Sequence, residues 1–202
     1  IPADGHGRID SNLRRIDDLG TPRANNHYPW GWAWAGNTPL KRFKRDTHEG
    51  GVCDPLIVQW PARLTTPGEI RHHYVHAIDL TPTLLDLLGL DPPAEINGVA
   101  QAPFDGVSFV STLGDPSAPE VHRTQYYEML GSRAIYHDGW KAVVFHPPAG
   151  LAYDGSDAGR RSFDDDIWEL YHVAEDFSEC HDVAADHPER LPGIEELAAL
   201  AE

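Results

Sequence analysis

Apolar residues recur along this chain in short, punctuated stretches, and each spacing predicts an element. Ile9, Leu13, Ile16 and Leu19 fall at helical intervals, with Gly20 as a stop signal and Pro22 beyond it. Trp30, Trp32 and Trp34 alternate as a half-buried strand would, while Pro29 and Pro39 suit an ordered loop equally well. Pro55-Leu56-Ile57-Val58-Gln59-Trp60, closed by Pro61, has the length, the β-branched content and the proline bracket of a buried strand. Residues 79 to 89 predict a helix. Asp79 or Thr81 caps it, Pro82 suits its first turn, Leu80, Leu84, Leu87 and Leu88 share a face, and Gly89 ends it. Asp91-Pro92-Pro93 forbids continuation.

From about Asp115 the pattern becomes strand-rich. Gly114 to Pro119 reads as a linker, and Arg133 to Tyr136 and Trp140 to Phe145 flank His137-Asp138-Gly139. An Asp-Gly pair tolerates positive φ, so this is a hairpin turn. His146 to Asp166, rich in Pro, Gly, Ser and Asp, predicts an exposed loop, and Ile167 to Val173 a further strand. Asp186-His187-Pro188 opens a terminal helix that Pro192-Gly193 interrupts. The expected organisation is an α/β piece over residues 1–115 and a small α+β subdomain over 116–202, an antiparallel sheet with one helix.

The chain has 202 residues with 41% hydrophobic and 24% charged, enough for a real core. Its net charge of −16 argues against a nucleic-acid partner and requires a local positive site for any anionic substrate. No apolar run approaches the ~20 residues of a membrane span, so no membrane partner is expected. Two cysteines, Cys53 and Cys180, allow one bridge but no disulfide framework, which favours a reducing, cytoplasmic setting. Ile1 is not an initiator Met and Glu202 falls in a helical pattern, so the chain reads as a piece cut at both ends.

The most informative chemistry is Lys44 followed by Glu49-Gly50-Gly51 at the mouth of the expected strand. An ammonium beside glycines that admit a close backbone approach suits an anion, and strand-end loops are where α/β folds place sites. The alternative is a solvated basic face, Lys41 to Arg45, followed by a simple turn.

A longer string then resembles a known family. Asn37-Thr38-Pro39, Lys44, His48-Glu49-Gly50-Gly51, Pro55-Leu56-Ile57-Val58 and Trp60-Pro61 are similar in order to type I sulfatases of the alkaline-phosphatase-like superfamily. The helix from Ile78 to Gly89, Phe104-Asp105-Gly106-Val107-Ser108, and Trp168-Glu169-Leu170-Tyr171 with Glu175-Asp176 continue the likeness. Asn26-His27-Tyr28-Pro29, Leu130 to Ile135 and His137 to Lys141 look like the long bacterial arylsulfatases of the actinobacterial kind.

The resemblance implies the C-terminal part of an alkaline-phosphatase-like α/β fold and hydrolysis of a small-molecule sulfate ester. By position, Lys44 matches the lysine that contacts the sulfate group, with Lys41 as the register alternative, and His48 is a pocket candidate. A compact ammonium suits a tetrahedral oxyanion. The resemblance also implies a formylglycine nucleophile, made from Cys or Ser in Cys/Ser-x-Pro-x-Arg, and a Ca²⁺ site with an Asp-Asn-Gly motif. Neither motif is here, so both are expected upstream, in the remainder of the same polypeptide, and the isolated piece is expected to be inactive. The alternatives are a phosphonate or phosphate ester hydrolase of the same superfamily, or a non-catalytic folded remnant.

Other candidates carry less. Cys53-Asp54-Pro55-Leu56-Ile57 offers Cys-x-Pro but has Ile57 where the Arg belongs, so Cys53 reads as a small buried residue. Cys180 lacks an activating cation in sequence. Asp164-Asp165-Asp166 lacks the spacing of a calcium loop and reads as solvated. His72 and His76 have helical spacing but no third ligand for zinc. Arg133 and His137 read as surface residues of the hairpin.

Overall fold

The computed structural model describes residues 13–23, 30–64, 68–146 and 162–191. In chain order these form α1 (Trp30–Asn37), α2 (Glu49–Val52), α3 (Leu80–Leu88), β1 (Glu95–Ile96), β2 (Val99–Ala100), α4 (Val110–Gly114), β3 (Thr124–Met129), β4 (Ser132–His137), β5 (Trp140–Val144) and β6 (Glu169–Tyr171). The chain packs as two compact units, one of residues 1–54 and 126–202, the other of residues 55–125. The boundary at 115–116 concerns the domains of the whole polypeptide and remains an expectation.

The first unit is organised by a four-stranded antiparallel sheet in the order β3-β4-β5-β6. The β4–β5 hairpin turns at Asp138 (φ 47°) and Gly139 (φ 81°), two consecutive positive values that Asp-Gly tolerates, as the sequence predicts. Its register pairs Ile135 with Ala142 and Ala134 with Val143, and β6 then sets Leu170 beside Ala142 and Glu169 beside Val143.

Alternation gives the two faces different chemistry. One face holds Ile135, Ala142 and Leu170, all buried, and is covered by Trp140, Trp168, Val183, Ala184 and Leu191. The other holds Ala134, Val143 and Tyr171 against Tyr127 and Val173. By register Lys141 and Glu169 also lie on this second face, so three polar groups project from an otherwise apolar surface.

The second unit is built on Asp79, which is fully buried. Its carboxylate accepts the N–H of His76 at 2.8 Å, the N–H of Val107 at 2.9 Å and Nδ1 of His122 at 3.0 Å. Asp79 thus closes a short 3₁₀ turn (Ala77–Asp79) and launches α3, which ends at Gly89 as predicted. Thr83 of α3 donates to the Asp79 carbonyl and accepts the Phe109 N–H, tying α3 to the turn before α4.

Several expectations are corrected. Residues 30–37 are helical, because Gly31, Ala33, Ala35 and Gly36 between the tryptophans permit a helix and no ladder partner is present among the described residues. Residues 55–60 form no strand in either sheet, and Ile57 is 89% exposed; an apolar run becomes a strand only when another strand pairs with it. Cys53 is exposed, not buried, and neither cysteine is bridged. Asp166 is not solvated: its carboxylate pairs with Arg133 at 2.8 Å and His146 at 3.0 Å. Of the helix expected over Ile9 to Leu19, Leu13 is helical and Ile16–Asp18 form a 3₁₀ turn, while the start lies outside the described residues. The body of the loop after His146 and of the terminal helix after Leu191 also lie outside them.

Candidate active site

The segment 41–49 runs between α1 and α2 and carries the cations noted in the sequence. Its backbone is irregular, with Arg42 at φ 64° and Arg45 at φ 83°. It is held in this shape by its own neighbours. Asn37 Nδ2 donates to the carbonyls of Arg42 (2.9 Å) and Gly50 (2.6 Å), and the Gly50 N–H donates to the Lys41 carbonyl (2.8 Å).

Gly50 and Gly51 are required by this packing. A Cβ on Gly50 would lie 2.4 Å from the carbonyl oxygens of Lys41 and Arg42, and one on Gly51 would lie 1.9 Å from that of Asp46. The expectation that these glycines clear space for a ligand is therefore corrected: the chain's own backbone fills it.

The segment is fastened to the polar face of the sheet at two points. At the first, Glu169 Oε2 accepts Lys41 Nζ at 2.8 Å and His48 Nε2 at 3.1 Å, and also the Tyr171 hydroxyl. Burial alone would raise the Glu169 pKa, but its donors His48, Lys41 and Tyr171 outweigh burial and hold the carboxyl below the usual carboxylate range. His48 is 0% exposed, and burial pushes its pKa down to about 4 against the pull of Glu169. A neutral imidazole facing an ionised carboxylate donates from Nε2, and Nδ1 is then a buried acceptor without a hydrogen-bond partner.

At the second point, Lys141 lies fully buried between two carboxylates. Its Nζ is 2.6 Å from Glu49 Oε1 and 3.2 Å from Glu179 Oε1, while Glu179 Oε2 accepts the Glu49 N–H at 2.9 Å. Burial raises the Glu179 pKa, opposed by Lys141.

Between these fastenings the predicted site residues part company. Lys41, the register alternative, is turned inward and neutralised by Glu169. Lys44 sits three residues on, exposed, with no ion pair among the described residues. His48 is fully buried and engages Glu169. Asp46 is buried beneath the loop, its pKa raised to about 6 by burial against the nearby Arg42.

The formylglycine and Ca²⁺ implied by the resemblance do not fit the residues present. Cys53 lacks the arginine three residues after its Asp54, and its thiol is pushed up to about 11, first by desolvation of the sulfur and then by Glu49. Among the described residues no three His, Cys, Asp or Glu side chains converge as a metal site would need. A shallow cleft of about 510 Å³ in the second unit is lined by Pro82, Pro92, Pro93 and Phe104 and carries no titratable group.

Comparison with known proteins decides the family. Residues 41–143, half of the chain and the whole of the segment just described, match N-sulphoglucosamine sulphohydrolase, C-terminal. The chain belongs to that family. An uncharacterized sulfatase of Schizosaccharomyces pombe is 28% identical over 87% of this chain and 29% of its own length. Human N-acetylgalactosamine-6-sulfatase is 34% identical over 38% of this chain and 13% of its own length. The solved structure of Ps i-CgsB in complex with k-i-k-neocarrahexaose superposes with a TM-score of 0.54 at 25% identity, covering 81% of this chain and 32% of that one. The chain thus spans less than a third of the length of these relatives. The fold is that of the C-terminal part of a sulfatase, α/β with a small antiparallel sheet.

Within this N-sulphoglucosamine sulphohydrolase C-terminal member, Glu169, Tyr171, Lys141 and Glu179 were not singled out from sequence as chemistry. One signal was present: Glu169 and Tyr171 stand two apart in a strand, which puts a carboxylate and a phenol on one face. Lys141 likewise shares its face with Val143 of a buried strand. A polar group at an inward position announces a partner.

Proposed function

We propose that this chain is part of an enzyme that hydrolyses a sulfate ester to an alcohol or phenol and inorganic sulfate, and that Lys44 binds the sulfate group. The supporting observation is the contrast between the two lysines of the loop. Lys41 is spent on Glu169, whereas Lys44, in register with the sulfate-binding lysine of the resembling family, keeps an exposed, unneutralised ammonium. In a chain of net charge −16, such a cation is the local attraction that an anion needs. Its charge offsets a sulfate oxygen in the bound ester and the negative charge that shifts as the S–O bond breaks. The nucleophile and Ca²⁺ ligands belong, in this reading, to the remainder of the polypeptide, because the chain spans under a third of its relatives' length.

The resemblance favours an aryl sulfate, while the family description and the human relative are named for sulfated amino sugars. Both therefore enter the test. In the full-length enzyme, Lys44→Ala is expected to lower kcat/KM toward 4-nitrophenyl sulfate and toward a 6-sulfated amino sugar by on the order of 10²-fold. A loss of only a few-fold on both would remove Lys44 from the site.

A further inference from the structure

We propose that Glu169 is a positioning residue for Lys44, setting the shape of the loop from which that lysine reaches the sulfate. The proposal rests on the reading of Lys44 given above. It adds a residue far away in sequence that acts through Lys41 and His48 of the loop.

The geometry is specific to one atom. Glu169 Oε2 takes Lys41 Nζ at 2.8 Å, three residues before Lys44, and His48 Nε2 at 3.1 Å, four residues after it. Both ends of the loop are thus tied to a single oxygen on a rigid strand whose neighbour Leu170 is fully buried. Hydrogen bonds to an ionised acceptor are the stronger kind, and three converge here with Tyr171. Between the ties the backbone passes through two positive-φ residues, Arg42 and Arg45, a conformation that persists only when its surroundings enforce it. Lys44 has no ion pair of its own among the described residues, so its position follows from where the loop is held.

Glu169 has a second effect through charge. It neutralises Lys41 and keeps that ammonium against the Tyr171 ring, 4.8 Å from the centroid. A sulfate entering the loop then meets Lys44 and not a competing cation three residues away.

The test is a double-mutant cycle in the full-length enzyme with 4-nitrophenyl sulfate. Glu169→Gln keeps the size of the side chain and removes its charge. In the wild-type background it is expected to lower kcat/KM by about 10-fold or more, the scale of a small misplacement of a reacting-site charge. In a Lys44→Ala background the same change is expected to cost less than about 2-fold, since nothing is left to position. Glu169→Asp, which retains the charge, is expected to recover part of the loss. An equal loss in both backgrounds, as partial unfolding would produce, overturns the proposal, and so does full activity of Glu169→Gln. Lys44→Ala alone reports separately on the parent reading: if it is harmless, that reading fails before the cycle is drawn. Where Glu169→Gln does not fold, Lys41→Met removes one donor from the same oxygen and is carried through the same cycle with the same two outcomes.

Discussion

At the scale of single residues, the site is governed by how burial and pairing divide protons. His48 is neutral in the folded chain because its pKa falls to about 4, whereas an unfolded histidine titrates near 6.5. Between these values the unfolded state binds more protons, so acidification from about pH 6.5 toward pH 4 weakens the fold. Asp46 acts with the opposite sign, since its raised pKa of about 6 lets the folded state take up a proton first as pH falls from about 6 toward the ordinary carboxylate value. The two offset in the wild type, so the informative quantity is a difference. The urea stability of His48→Gln relative to wild type is expected to improve as pH is lowered from 7 to 5. A constant gap over that range would show that His48 is not buried neutral.

At the scale of elements, α2 is held against the loop by the absence of side chains at Gly50 and Gly51. Gly51→Ala would press a methyl to within 1.9 Å of the Asp46 carbonyl, and the loop must move to admit it. Overpacking of this kind costs about 1–3 kcal/mol, to be read as a lower urea midpoint of the full-length enzyme with an unchanged m-value. Activity should fall further than stability does, because the displaced segment carries Lys44. The pair Gly50-Gly51 was visible in the sequence, but its reason was not: two glycines look alike whether a ligand or a backbone occupies the space. Elements whose causes are local were legible. The Asp138-Gly139 turn and the helix closed by Gly89 formed where predicted. Residues 55–60 and the tryptophan alternation misled for the same reason, since a strand is a property of two segments and periodicity describes one. Lys44 is proposed from its place in a string of motifs, whereas Glu169 needed the register that sets it on the face of Lys141.

At the scale of the whole molecule, the second unit leaves many large apolar side chains exposed. Leu56, Ile57, Ile70, Leu84, Leu88 and Leu90 are all exposed, and Leu88 retains 69% of its surface. The isolated 202-residue chain is expected to bind a hydrophobic dye strongly, to elute larger than a monomer, and to show no turnover of sulfate esters. A monodisperse, dye-silent monomer with robust activity would contradict both the apolar surface and the placing of the nucleophile elsewhere. None of the helices among the described residues is long and apolar enough to cross a membrane.

The amides at the start of α2 are already committed: Glu49 to Glu179, Gly50 to Lys41 and Gly51 to His48. These three N–H groups are therefore closed to an arriving oxyanion, and on the proposed reading the Lys44 ammonium acts without them. On that reading a single ammonium lends electrostatic pull without stereochemical discrimination, and telling sulfate from phosphate would fall to whatever grips the other oxygens.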